Sequence, residues 1–227
     1  WWLVVVVVLA ALRPAGAFEF ITPSYWLQQA ALVKFLEPIP RGSRILEVDC
    51  ASGAKTLYYL PFGARVVQWL AESEAQRERG PIDLAAQKVG ITVDFVKAPA
   101  ASGVPNLEAA SFDCGVSVGA VGRAETEARA AAVVDAALKA IKTGGTLYLF
   151  EPNAKRVEPL LAAALDDSRL VADCTARVEH DAVLCVVTRS DVPVAAPPTT
   201  TPESSAPLGF ADSSSTSSGK KAKKNRR

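Results

Sequence analysis

From Glu47 to Gly53 the chain reads Glu-Val-Asp-Cys-Ala-Ser-Gly, directly after the apolar pair Ile45-Leu46. An acid that closes a short strand and leads into small residues is how an open α/β sheet receives a nucleoside-type cofactor, at the carboxyl end of its first strand. The chemistry asks for a tight backbone turn and for ligand contact with no Cβ intervening, so alternating glycines suit it best. Here the alternating places hold Asp49, Ala51 and Gly53. Aspartate tolerates left-handed dihedrals, so the turn can form. Its carboxylate, however, brings a negative charge into a partly desolvated pocket, and Ala51 adds a methyl group where close approach is wanted.

Other constellations are missing or inert. There is no GxSxG or P-loop pattern, and no His/Cys/Asp cluster with metal-ligand spacing. The sole histidine, His180, falls in the loop Glu179-His180-Asp181 and reads as solvent-facing. Cys50, Cys114, Cys174 and Cys185 stand singly in apolar runs, without CxxC spacing, and read as buried free thiols. Cys174 and Cys185 lie on adjacent strands, which leaves an oxidised pair as the other reading.

The elements that must position the turn follow from punctuation and periodicity. Thr22-Pro23 caps and opens a helix to about Leu36, stopped by Pro38 and Pro40. Strands are expected at Ile45–Cys50, Arg65–Leu70, Thr92–Lys97, Phe112–Val118 and Thr146–Glu151. Helices fall between them: a short one at Lys55–Leu60, a polar one over Glu72–Val89 interrupted at Gly80-Pro81, and an alanine-rich one over Glu125–Lys142. Gly144-Gly145 turns the last of these into strand five. A short helix around Val157–Leu165 precedes two strands, Arg169–Val178 and Ala182–Thr188, which are too close in sequence to pair other than as an antiparallel hairpin. The fold class is therefore α/β: a doubly wound, mostly parallel seven-stranded sheet with a C-terminal antiparallel hairpin.

These residues resemble the class I S-adenosylmethionine-dependent methyltransferases, and within them the methyltransferase-like 7 group of small membrane-associated enzymes. The resemblance covers roughly Arg44 to Pro152. It rests on Ile45-Leu46-Glu47-Val48, on Tyr58-Tyr59-Leu60-Pro61-Phe62-Gly63-Ala64-Arg65-Val66, on Ser111-Phe112-Asp113, and on Ile141-Lys142-Thr143-Gly144-Gly145-Thr146-Leu147-Tyr148 with Phe150-Glu151. It implies a Rossmann-like methyltransferase fold with S-adenosyl-L-methionine as cofactor, contacted through Glu47, Asp49, Ala51 and Gly53. It also implies an acid at the end of strand two to accept the ribose hydroxyls; that place holds Leu70, with Glu72 the nearby substitute. A polar residue for the adenine amino group would be Ser102. Asp113 and Gly144-Gly145 match as structural positions.

The implied activity is methyl transfer to a small acceptor such as a thiol or a lipid-like compound. Such a transfer needs alignment more than a dedicated catalytic group. The alternative is a non-catalytic scaffold or accessory protein that kept the sheet and lost the cofactor, as the changes at Asp49, Ala51 and Leu70 together would produce. A third reading, a nucleic-acid-modifying enzyme, is disfavoured by charge. The 227 residues carry a formal +1, but the segment after Asp191 holds six Lys/Arg against Glu203 and Asp212, leaving the rest at −3. A mildly acidic body has no surface for nucleic acid.

Three regions are expected. Residues 1–17 are a leader or an anchor: Trp1–Leu12 is apolar throughout, shorter than the ~20 residues a span needs, and Ala15-Gly16-Ala17 is a signal-peptidase pattern. Phe18 directly after it also resembles the bipartite leaders of algae with secondary plastids. The expected locations are thus the secretory pathway or endomembranes, with membrane association through the N-terminus, or alternatively such a plastid. The absence of methionine, even at position 1, leads to the expectation that the natural start is missing. Residues 18–191 are the methyltransferase-like domain, and 192–227, rich in Pro, Ser and Thr with a basic end, are expected to be disordered.

Overall fold

The computed structural model describes residues 23–49, 53–99, 103–166 and 168–190, without the side chains of 71–78. The leader, the tail, Cys50, Ala51 and Ser102 lie outside the described residues. The elements run α1 (Pro23–Leu36), β1 (Arg44–Val48), α2 (Gly53–Leu57), β2 (Arg65–Ala71), α3 (Glu72–Val89), β3 (Thr92–Ala98), β4 (Phe112–Val118), α4 (Ala120–Arg123), α5 (Glu127–Ala140), β5 (Ile141–Pro152), α6 (Ala154–Asp166), β6 (Val171–Glu179) and β7 (Ala182–Arg189).

The strands form one sheet in the order β3-β2-β1-β4-β5-β7-β6. β1 to β5 pair in parallel, and β7 enters antiparallel between β5 and β6. The central strands are apolar on both faces because both are covered. On one face Ile45, Val66, Leu70 and Phe150 pack against Leu32, Phe35 and Leu36 of α1, Leu57 of α2, and Ile82, Ala85 and Ala86 of α3. On the other, Leu46, Val48, Trp69, Leu147 and Val187 pack against Val121 of α4, Val133, Val134 and Leu138 of α5, and Val157 and Leu161 of α6. This is the three-layer doubly wound architecture expected from the alternation of strands and helices. The strand order reverses between β1 and β4, and a ligand crevice belongs at that switch point.

Four expectations need correction. α3 runs unbroken through Gly80-Pro81, because Ile82, Ala85 and Ala86 sit fully in the core and hold the second half of the helix in line with the first. Gly144-Gly145 does not precede strand five but lies inside it: β5 begins at Ile141, and the register with β4 jumps from Phe112↔Ile141 to Cys114↔Thr146, so the intervening residues bulge. A short helix, α4, follows β4 directly where none was expected. Cys174 is exposed rather than buried, because β6 is the outer strand and shows both faces to solvent.

The hairpin turn uses only His180 and Asp181, both at positive φ (51° and 60°). That is the two-residue geometry whose twist suits the flanking strands. No helix among the described residues is long and apolar enough to cross a membrane.

Candidate functional site: the carboxyl ends of β1, β4 and β5

Glu47 lies on the face of β1 that carries Ile45, and its register partner on β2 is Gln68. Both side chains are buried, at 1% and 0% exposure, and the Gln68 amide donates to Glu47 Oε2 at 2.6 Å. Burial pushes the Glu47 carboxyl up to about 7, against smaller opposing effects of Gln68, Thr56 and the Arg123 guanidinium. Glu47 therefore braces the turn from beneath, tying β1 to β2 and to α2, and does not open onto solvent.

Of the turn, its first residue is described. Asp49 takes φ 44°, the left-handed conformation that a glycine would otherwise supply. Its charge is answered by a residue 74 positions further on: the Arg123 guanidinium lies 3.9 Å from the Asp49 carboxylate and donates to the Asp49 carbonyl oxygen. The same guanidinium donates to the Val118 carbonyl at 3.2 Å. Arg123 thus bridges the ends of β1 and β4 across the switch point.

Arg123 is placed by α4, and α4 is placed by Glu151. At the end of β5 this carboxylate is fully buried and accepts from the backbone of Val121 (3.2 Å) and Gly122 (3.0 Å) and from the Ser117 hydroxyl (2.9 Å). Burial raises its pKa, opposed by those donors and by Arg123. Gly119, at φ 76°, makes the bend from β4 into α4. The result is one polar cluster at the carboxyl ends of three adjacent strands, with a single guanidinium serving three carboxylates.

Beside the cluster is a hollow of about 340 Å³ lined by Ser24, Tyr25, Gln28 and Gln29 of α1 and by Val118, Phe150 and Pro152 at the ends of β4 and β5. None of these side chains carries a formal charge. Tyr59 donates to Gln29 at 2.5 Å and holds one amide in place. Among the described residues no group of three or more His, Cys, Asp or Glu could hold a metal ion.

The residues singled out from the sequence divide accordingly. Glu47, Asp49 and Gly53 flank the turn. Leu70, two residues beyond the partner of Glu47 on β2, is 0% exposed and packs in the core, so it offers nothing to a ribose. Glu72 begins α3, but its side chain, like Ala51 and Ser102, lies outside what the structure describes. Sequence reasoning passed over Gln68, Ser117 and Arg123 and gave Glu151 no role. The signal available was an acid ending an otherwise apolar strand, Glu151, in the same setting as Glu47.

The two ends of S-adenosylmethionine would meet different surroundings here. The Asp49 carboxylate and the Arg123 guanidinium, 3.9 Å apart, are charges of the two signs that an amino-acid end would need. The ribose finds no acceptor at Leu70, which is buried in the core.

No protein-family model matches the sequence, and no curated protein matches it. Solved structures do. The chain is similar to a possible exported protein from Bordetella parapertussis (14% identity, TM-score 0.54, 74% of this chain and 69% of that one). It is also similar to the N-methyltransferase NodS from Bradyrhizobium japonicum in complex with S-adenosyl-L-homocysteine (17%, 0.53, 75% and 89%). A third is a predicted O-methyltransferase from Agrobacterium tumefaciens (16%, 0.51, 70% and 80%). At such identities the likeness shows the fold alone, the Rossmann-like fold that the chain shares with these two methyltransferases.

Proposed function

We propose that this chain is an S-adenosylmethionine-dependent methyltransferase acting on a small acceptor such as a thiol or a lipid-like compound, in keeping with its resemblance in sequence pattern to the methyltransferase-like 7 group. The observation that carries the reading is the left-handed backbone of Asp49 at the switch point, the conformation a glycine would otherwise supply there. Asp49 and Arg123 would hold the amino-acid end of the cofactor, which supplies an activated methyl group. The α1-roofed hollow would hold the acceptor within reach.

The hollow's lining also bears on acceptor chemistry. Among the described residues it offers two amides and the hydroxyls of Ser24 and Tyr25 but no carboxylate or imidazole, which favours an acceptor that arrives already nucleophilic. A thiol, with a pKa of about 8.5, is partly ionised near neutral pH without help. An alcohol is not, and a thiol on an apolar body is therefore the favoured acceptor. The apolar run Trp1–Leu12 supports a membrane-proximal or secretory setting, for which sequencing the mature N-terminus is the test: a start at Phe18 means cleavage, and retention means an anchor.

The specific observation that favours the scaffold reading is the buried Leu70 together with an Arg123 that already bridges β1 and β4. Thermal denaturation with S-adenosylmethionine and S-adenosylhomocysteine decides between them. A ligand at 100 times its dissociation constant stabilises by about 2.7 kcal/mol, which is a rise of about 5–10 °C for a chain of this size. No rise at millimolar ligand overturns the enzyme reading and leaves the scaffold. A rise, followed by transfer of labelled methyl to a thiol on an aromatic or alkyl body, establishes the enzyme.

A further inference from the structure

The hairpin that completes the sheet carries two thiols in contact. The β6–β7 register pairs Cys174 with Val187 and Ala176 with Cys185. The cysteines therefore sit diagonally on one face, because residues two apart along a strand share a face. Their sulfurs are 3.3 Å apart. A disulfide needs about 2.05 Å, so closure asks for a movement of roughly 1.3 Å. The strand that must move is the one free to do so: β6 is the outermost strand, paired only with β7, and its register shifts between Val171 and Asp173, next to Cys174.

The two thiols differ in access. Cys185 is buried and Cys174 is exposed. Cys174 also lines a cavity of about 590 Å³ between α6 and β6, walled by Leu161, Leu165, Val171 and Val183. A thiol acting only as a small hydrophobe would be buried, and Cys174 is not. Burial and the neighbouring sulfur push the Cys185 pKa up and keep that thiol protonated.

We propose that Cys174 and Cys185 form a two-electron redox site, at which a hydroperoxide entering the α6–β6 cavity is reduced and the two cysteines are joined. Cys174 gives up its proton, and its sulfur attacks the terminal peroxide oxygen. The O–O bond breaks, the remaining oxygen takes a proton and leaves as an alcohol or water, and Cys174 becomes a sulfenic acid. The Cys185 sulfur then displaces the hydroxyl, which takes the Cys185 proton and departs as water as the S–S bond forms. Two thiols and one hydroperoxide thus yield one disulfide, one alcohol or water, and one water. The bond cross-links the outermost strand to its neighbour and removes a thiol from the cavity wall.

Peptide mapping of the full chain tests this directly. Trypsin cuts after Arg169, Arg177 and Arg189, which places the cysteines on separate peptides, 170–177 and 178–189. After hydrogen peroxide and then alkylation of the folded protein, the two peptides are expected as one linked species, about 2 Da lighter than their sum and separated by dithiothreitol. In Cys185→Ser, dimedone should instead label Cys174 on peptide 170–177. The proposal is overturned if wild-type Cys174 ends as sulfinic acid while Cys185 is alkylated, if Cys174 links to another chain, or if both thiols remain alkylatable. The wild-type map decides even where the variant does not fold.

Discussion

Asp49 shows how one residue can fill a glycine's place by supplying both a conformation and a charge. In the left-handed region a side chain costs about 1–2 kcal/mol, and aspartate is among the few non-glycine residues that adopt it readily. The carboxylate it brings is met by Arg123 at 3.9 Å, a partly exposed pair worth little to stability. Urea denaturation should therefore find Asp49→Gly within about 0.5 kcal/mol of wild type. Asp49→Val, with a β-branched residue forced to φ 44°, should lose about 1–2 kcal/mol. Equal effects of the two substitutions would mean that φ is not the constraint. The sequence makes Asp49 and Leu70 legible, because strand register fixes both places once β1 and β2 are recognised. It does not reveal Arg123, because the contact joins residues 74 apart across a crevice that exists only after folding.

At the scale of elements, the end of β5 organises the site. Glu151 accepts two backbone N–H groups of α4 and the Ser117 hydroxyl, so a helix too short to be stable alone is held by a carboxylate from a neighbouring strand. Glu151→Ala leaves those donors buried and unpaired, at about 1–3 kcal/mol each. A loss of about 3 kcal/mol or more in urea denaturation is expected, with faster hydrogen exchange at Val121 and Gly122. Unchanged exchange would show that α4 does not depend on Glu151. The other end of β5 is constrained by packing: a Cβ at Gly145 would lie 2.7 Å from the Asp113 carbonyl and 2.8 Å from that of Lys142. Because backbone cannot yield as a side chain does, Gly145→Ala should cost about 1–3 kcal/mol by the same measurement. β4 was legible to the residue because Phe112, Cys114, Val116 and Val118 alternate with Asp113, Gly115 and Ser117. The bulge in β5 and the unbroken α3 were not, because each depends on what the neighbouring layer provides rather than on local propensity.

For the molecule as a whole, the consequence of this arrangement is a dependence of stability on pH set by carboxylates inside the sheet. The doubly wound order was readable from the alternation of runs, and it places Glu47 and Glu151 at the ends of β1 and β5 on either side of β4. What alternation cannot tell is that both are almost entirely buried. Glu47 is held at about 7 in the folded chain, against an ordinary 4.5. Below pH 4.5 both folded and unfolded states carry the proton, and the contribution to stability is fully present. As pH rises the unfolded chain ionises first, so stability is lost progressively until the folded carboxyl also ionises near pH 7, and no further loss follows above it. The loss is on the order of 3 kcal/mol. Glu151, whose pKa is also raised, acts in the same direction, so wild-type stability alone would mix the two. Glu47→Gln removes one titration and leaves the other. Urea denaturation of both proteins at intervals from pH 4.5 to pH 8 should show the variant gaining on wild type as pH rises and levelling off above 7. Two parallel curves would mean that Glu47 titrates alike in the folded and unfolded chain, and that the carboxyl beneath the turn reaches water after all.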